Sequence, residues 1–378
     1  MILFTVAPLM ALYVYWRAVR ALGRGPRRLV SVAVLALGAA FPIVVDTFGG
    51  SLLAPTLDGR LMIAGEFFLL VLLESALLIA LRDGLLLISR VVGQPILILR
   101  TPKVVVFLLV LATFVSLYAV SQALRDPVVK HVTLDFENLP DSFVGMRIAQ
   151  LSDLHQANIF GPERLKRIVH ATNQLNADII VITGDLVDGS VKSRGKELGA
   201  LRNLVAPEGI YVVEGNHEHY VDYDGWMAFF PKLGMKLLRN EHAVLRRGND
   251  ALLLAGLTDY GAKRFGRAVP DLTRALKGAP EGFTIVLSHQ PREVKKWTDS
   301  GVDLMLCGHT HGGQTPLVSL LVKALNDGYV RGLYTEKSAD GKALSVYVHP
   351  GTGLWTGFSA RLASENEIAL ITLTKKGK

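Results

Sequence analysis

Seven polar residues, each set directly after an apolar run, carry the chemistry for which this sequence is equipped. They are Asp153 and His155 in IAQLSDLHQ, Asp185 in GDLVDG, Asn216 in GNHE, His289 in LSHQP, and His309 and His311 in CGHTHGG. Carboxylate, amide and imidazole all bind divalent cations, and this many of them is enough to hold two ions. Asp153 and His155 flank Leu154, so an extended strand end can project both to one side. A carboxylate at Asp185 can bridge two cations and set them ~3.5–4 Å apart. One aspartate or one HxH proves little, but DLH, GD, GNH, SH and GHTH in this order form a specific set.

The runs that precede these residues read as strands. MRIAQLSD, ADIIVITGD, GIYVVEGN, ALLLAGLTD, FTIVLSHQ and VDLMLCGH each place a polar cluster at a predicted strand end, while PERLKRIVHATNQLN and RGKELGALRNLV read as helices between them. Repeated strand-then-ligand segments predict an α/β fold with its site at the strand ends. KALSVYVHPG and NEIALITLTKK suggest a second sheet or a sheet extension. The glycines of GHTHGGQ lack the Lys-Ser/Thr ending of a phosphate-binding P-loop and read instead as tight turns that bring two imidazoles onto separate metals. The single Cys307 rules out an intrachain disulfide; it reads as a small buried apolar residue, with a thiolate ligand two residues from His309 as the alternative.

The front of the chain has a different character. A mean hydropathy of +0.34 is high for a soluble enzyme, and the excess lies in four apolar stretches: Ile2–Trp16, Leu29–Val45, Leu61–Leu81 and Val104–Val120. Each approaches the ~20 residues that cross a bilayer. A signal peptide is disfavoured because the first stretch has no basic n-region and three more follow. Residues 1–130 hold 12 Lys+Arg against 6 Asp+Glu, and the remainder holds 29 against 27, so the basic balance belongs to the membrane region and argues against nucleic-acid binding. Arg17, Arg20, Arg24, Arg27 and Arg28 lie between the first two spans; Arg82, Arg90, Arg100 and Lys103 lie between the third and fourth. If these segments are cytoplasmic, the fourth span delivers the rest of the chain to the outer side, whereas a miscount of one helix would reverse this. GLLLISRVVGQPILIL, between spans three and four, reads as an interfacial helix. Glu66 and Glu74 share one face of the third span, where the expectations are an interfacial glutamate and a hydrogen-bonded one, or a transport site. Pro42 kinks or ends the second span. The expected division is a membrane region over 1–125, a linker leading into the next domain over 126–144, and a catalytic domain over 145–378.

The ordered motifs resemble those of the calcineurin-like metallophosphoesterases, whose blocks are D-x-H, G-D-x-x-D, G-N-H-[DE], a later lone His and G-H-x-H; the resemblance covers about residues 145–375. It implies a four-layer α-β-β-α sandwich and two divalent ions, Mn, Fe or Zn foremost, with Mg, Co or Ni as further members of the set. Carried over residue by residue, the first ion is held by Asp153, His155, Asp185 and His311, and the second by Asp185, Asn216, His289 and His309. His217 becomes the catalytic histidine, paired with Glu218, and Asp188 supports its loop. Asp259 caps a turn or lines the cleft, and His219 and Tyr220 are candidate cleft residues. Arg331 lies in TPLVSLLVKALNDGYVRGLYTEK, an apolar insert that either packs on the domain or forms a bilayer-facing rim admitting an acyl-bearing phosphate ester.

The sequence is most similar to a membrane-attached bacterial branch with HTHGGQ and a following GLY segment. It departs from that branch in HPGTGLWTGFSARLASENEIAL, where His349–Pro350 replace a basic start and Ser364–Glu365 stand where prolines would fall. The expected function is two-metal hydrolysis of a phosphate ester, lipid-linked or amphipathic, at the outer face of a bacterial cytoplasmic membrane, with the bilayer and the phosphate ester as partners. The alternatives are a cytoplasmic-side pyrophosphatase of a nucleotide-linked glycolipid and a non-catalytic membrane sensor.

Overall fold

The computed structural model describes residues 2–362 and 364–377. Its internal contacts divide the chain into two units, Met1–Leu124 with Gly357–Ala360, and Arg125–Thr356 with Arg361–Lys378.

In the first unit the apolar stretches form helices α1 (Ile2–Arg17), α2 (Pro26–Phe48), α3 (Gly59–Val91) and α4 (Pro102–Ala123), with the short strands β1 (Gly50–Ser51) and β2 (Ala54–Pro55) joining α2 to α3. Three of them, α2, α3 and α4, are long and apolar enough to cross a membrane. At a rise of 1.5 Å per residue, the 16 residues of α1 reach about 24 Å, short of a ~30 Å hydrocarbon core. The helix α3 has 33 residues, so Arg82–Val91, expected to lie between the third and fourth spans and in part as a separate interfacial helix, continues α3. Pro42 lies inside α2 rather than at its end. Glu66 of α3 is buried and accepts a hydrogen bond from the backbone N–H of Ser359 at 3.1 Å, both residues belonging to this unit.

The second unit is built on two six-stranded sheets. One runs in the order β3 (Val128–Phe136), β14 (Glu367–Lys375), β4 (Arg147–Leu151), β5 (Ile179–Thr183), β6 (Ile210–Val213), β7 (Lys236–Leu237). The other runs β12 (Gly332–Lys337), β13 (Ala343–Val348), β11 (Leu304–Cys307), β10 (Phe283–Leu287), β9 (Asp250–Gly256), β8 (Glu241–Arg247). Residues expected as a linker carry β3, which pairs in parallel with β14 from Val128 to Phe136.

Side-chain alternation assigns the layers. In β5, Ile179 and Val181 join a core shared with Leu254, Ile285 and Leu306 of the other sheet, while Ile180 and Ile182 point the opposite way. That outer face packs on α5 (Pro162–Gln174), α6 (Val191–Leu198) and α7 (Tyr223–Phe229) through Leu165, Ile168, Leu198 and Trp226. The outer face of the second sheet packs Val286, Met305 and Cys307 against Leu272 and Ala275 of α8 (Leu272–Ala275). A one-residue slip of β5 would exchange its two buried sets between environments already filled, so the register is fixed from both sides. The layers are α-β-β-α, as expected. One helix stands apart: α9 (Pro316–Leu325) has no buried residue and leaves Leu317, Leu320, Leu321 and Leu325 exposed.

Candidate metal centre

Parallel pairing brings the ligand-bearing segments together. The strands β4, β5 and β6 run in one direction in the first sheet, and β10 and β11 run parallel in the second. Their C-terminal ends release Asp153 and His155, Asp185, Asn216 and His217, His289, and His309 and His311 in turn.

The backbone at these ends is unusual. Asp153, His155, Asp185, His309 and His311 all have positive φ, between 43° and 72°. Such conformations are uncommon for residues with side chains and persist only where the surroundings impose them. Backbone contacts supply that imposition: the N–H of Asp153 donates to the Gly184 carbonyl and that of His155 to the Asp185 carbonyl. Gly215 is needed for close approach, since a Cβ there would lie 2.1 Å from Asp185 Oδ1.

Among the described residues, three overlapping groups have donor atoms within 4.8 Å of one another: Asp153, His155 and His311; His155, Asp185 and His217; Asp185, His289 and His309. Asp185 Oδ2 lies 3.6 Å from His155 Nε2 and 3.1 Å from His289 Nε2. His311 Nε2 lies 3.5 Å from Asp153 Oδ1. On the other side His289 Nε2 is 3.2 Å from both Asn216 Oδ1 and His309 Nδ1. Asp153, His155 and His311 thus form one group and Asp185, His289 and His309 another, with Asn216 beside His289 and Asp185 also grouped with His155 and His217.

These donors suit divalent cations. His155 Nε2 is buried with no hydrogen-bond partner among the described residues, an arrangement that is costly without an electrophile to face. Burial, and the neighbouring His289 for His309 or His155 for His311, hold both imidazoles far below their usual range, in the neutral form that binds metal. Asp153 is oriented by Ser152 Oγ at 2.6 Å and by the N–H of His309 at 3.1 Å.

Glu218 departs from its expected role. It is fully buried and accepts the backbone N–H groups of Asp185, Leu186 and Gly215 at 3.1, 2.7 and 2.7 Å. It ties the β5 and β6 loops together, and among the described residues it makes no hydrogen bond to the His217 ring. That ring is oriented by Asp188, whose Oδ1 lies 2.6 Å from His217 Nδ1 and 3.1 Å from His155 Nδ1. Burial alone would raise the Asp188 carboxyl, but His155 and His217 hold it down to about 2. Burial alone would lower His217, and the Asp185 and Asp188 carboxylates instead raise it to about 9. With 9% of its side chain exposed and Nε2 4.0 Å from Asp185 Oδ2, His217 is reachable from outside.

The remaining candidates separate. Tyr220 lines the site, its hydroxyl accepting from Asn216 Nδ2 at 3.1 Å and its ring edge-on to His217. His219 turns inward instead: it is 3% exposed, stacks on Tyr223 and bonds Glu214 Oε1 at 3.1 Å, so it is no cleft residue. Asp259 is buried and caps a turn by accepting from Gly261 N–H, and it also accepts from Gln290 Nε2. Arg331 donates to the Gly312 carbonyl at 2.7 Å, bracing the turn that carries His311.

Arg361 was not anticipated. It is fully buried, and its guanidinium reaches the carbonyls of His311, Pro350, Gly351 and Gly353. An arginine in a stretch read for His349–Pro350 and Ser364–Glu365 gave no signal of this.

The fold and this site define an α/β sandwich of the two-metal phosphoesterase type. The chain matches the family described as Calcineurin-like phosphoesterase over residues 146–313. It is 35% identical over 280 residues to a "Transmembrane protein with metallophosphoesterase domain" of Danio rerio, covering 71% of this chain and 62% of that one. It is 34% identical over 259 residues to an uncharacterized metallophosphoesterase of Helicobacter pylori, covering 68% and 66%. A third, from Aquifex aeolicus, is 33% identical over 251 residues, covering 66% and 92%. The chain thus spans 62% and 66% of the lengths of the first two relatives. It belongs to the calcineurin-like phosphoesterase family, and its relatives are found in a fish as well as in bacteria.

Proposed function

We propose that this protein is a membrane-tethered, two-metal phosphoesterase. The observation that carries this reading is the position of Asp185 Oδ2 between His155 Nε2 at 3.6 Å and His289 Nε2 at 3.1 Å, as a bridging carboxylate requires. Asp153, His155, Asp185 and His311 would hold one ion; Asp185, Asn216, His289 and His309 would hold the other. The bound ions supply charge neutralisation for phosphate oxygens and a more acidic water.

The chain's own groups do the rest. Asp188 accepts from His217 Nδ1–H and favours the doubly protonated ring, whose Nε2–H on the Asp185 side can donate a hydrogen bond to a phosphate oxygen. As water oxygen bonds to phosphorus and the ester P–O bond breaks, a protonated His217 delivers its Nε2 proton to the departing alkoxide. Tyr220 keeps the Asn216 amide turned so that its oxygen faces the site.

The substrate class we infer is a lipid-linked or amphipathic phosphate ester. Two features support it: helices of membrane-crossing length in the same chain, and the exposed leucines of α9, which follow the His311 turn directly. The insert therefore reads as an apolar rim, since none of its helical residues is buried. We further infer that the domain lies on the outer side of a bacterial cytoplasmic membrane. The helix α4 starts from the segment carrying Arg90, Arg100 and Lys103, and basic segments stay cytoplasmic. This argument runs through α4 and holds whether or not α1 crosses.

The test is release of phosphate by detergent-purified protein after metal removal and separate addition of Mn, Zn, Fe or Mg, comparing soluble aryl phosphates with a phospholipid panel. Metal-dependent release that favours a lipid is the expected result. Two bound ions with no release from any substrate would sink the hydrolase and favour the sensor.

A further inference from the structure

Beside the second metal position lies a cavity of about 140 Å³ that neither ligand set uses. Asn216 and His309 form one wall, so whatever occupies it adjoins the metal centre. Arg264 and Arg292 line it too, together with the rings of Tyr220, Tyr260 and Phe265.

The two arginines are the informative part. In this unit Arg239 pairs with Glu214 and Arg247 with Glu208, whereas Arg264 stands exposed and Arg292 half-buried without such a partner among the described residues. Neither Arg264 nor Arg292 has an ion pair among the described residues, and no carboxylate lines the cavity. The nearby Asp259 is occupied by Gly261 N–H and Gln290 Nε2. Arg292 Nε is buried and without a hydrogen-bond partner among the described residues. A guanidinium donor withdrawn from water and unpaired is a standing cost that an anion would relieve.

We propose that this cavity is an anion subsite, which receives a second anionic group carried by the substrate a few bonds from the phosphate that is cleaved. This rests on the phosphoesterase reading and narrows its substrate to phosphate esters bearing a further phosphate or a carboxylate. The volume agrees, being well below the ~300–1,000 Å³ that encloses a drug-sized ligand and suited to one charged group. Arg264 and Arg292 then select the substrate, while the groups around Asp185 act on the ester.

The experiment compares kcat/KM for three matched esters on the full-length, Mn-loaded protein in detergent. They are 3-hydroxypropyl phosphate, propane-1,3-diol bisphosphate and 3-phosphonooxypropanoate, which carry a hydroxyl, a phosphate or a carboxylate at the far end of the same three-carbon chain. At least one charged ester is expected to exceed the hydroxyl ester roughly tenfold, and the better one identifies the anion. In Arg292→Gln and Arg264→Gln that ratio falls to about threefold or less, and in Arg292→Lys it stays between. Metal content and thermal midpoint, measured on each variant, stay at the wild-type values, which separates loss of the subsite from loss of the fold. Charged esters no better than the hydroxyl ester, or a preference that survives both glutamine substitutions, would overturn the subsite alone. Absence of metal-dependent release from all three would overturn the phosphoesterase reading and the subsite with it.

Discussion

One oxygen of Asp188 serves two imidazoles, lying 2.6 Å from Nδ1 of His217 and 3.1 Å from Nδ1 of His155. It thereby orients both imidazoles, the one proposed to ligate metal and the one proposed to meet the substrate. Asp188→Asn should lower kcat roughly 10–100-fold, the usual effect of removing a carboxylate behind a ligating histidine. Glu218→Gln, which disturbs three backbone hydrogen bonds, should instead chiefly lower the thermal midpoint. Steady-state kinetics and thermal unfolding on both variants check this; full turnover in Asp188→Asn would refute the assignment.

Asp185 faces both clusters and His309 only one. Elemental analysis should therefore find about two metal ions per wild-type chain, about one in His309→Ala, and fewer than one in Asp185→Asn. Two ions retained in Asp185→Asn would remove the bridging role.

Arg361 is a buried clamp on the His311 turn. Arg361→Met leaves several buried carbonyls without donors, at ~1–3 kcal/mol each. The thermal midpoint should fall by several degrees, at about 2–4 °C per kcal/mol for a domain of this size. Metal affinity should weaken as His311 loses its support. A midpoint within one degree of wild type, read by differential scanning in detergent, would contradict this.

The exposed α9 face offers a test of the lipid reading. Leu320→Ser with Leu321→Ser removes apolar surface already in water, so stability should change by no more than ~0.5 kcal/mol. Turnover of a vesicle-borne phosphate ester should drop at least about fivefold, by loss of apolar contact with the lipid. Turnover of a soluble aryl phosphate is the control, and equal losses on both would count against a lipid rim.

Much of the site was legible because metal ligation requires particular residue types, and strand ends confine them to short motifs. All seven ligand candidates, and Asp188 beside them, could be located from DLH, GDLVD, GNH, SH and GHTH, and the structure brings them together. Partnerships across the chain were not legible. Glu218 stands next to His217 in sequence, yet its carboxylate turns to the N–H groups of Asp185 and Leu186, some thirty residues away. His219 reads as polar and available, but Glu214 and Tyr223 draw it inside. Arg264, Arg292 and Arg361 belong to no motif, and only the fold shows that the first two line a cavity beside Asn216 and that the third is buried among carbonyls. In the helical unit, composition located the helices but not the end of α3, which runs on through the charged Arg82 and Asp83.

The place of β14 in its sheet has a consequence for biosynthesis. It lies between β3 and β4, although almost the whole domain separates it from them in sequence. Until Glu367–Lys375 has left the ribosome, β3 has no neighbour in its sheet and β4 has an open edge. The ligand loops after β4, β5 and β6 thus wait on a strand made much later, and such long-range pairing is slow and exposes aggregation-prone edges. Nascent chains stalled before β14 should therefore need a chaperone's protection and should capture no metal.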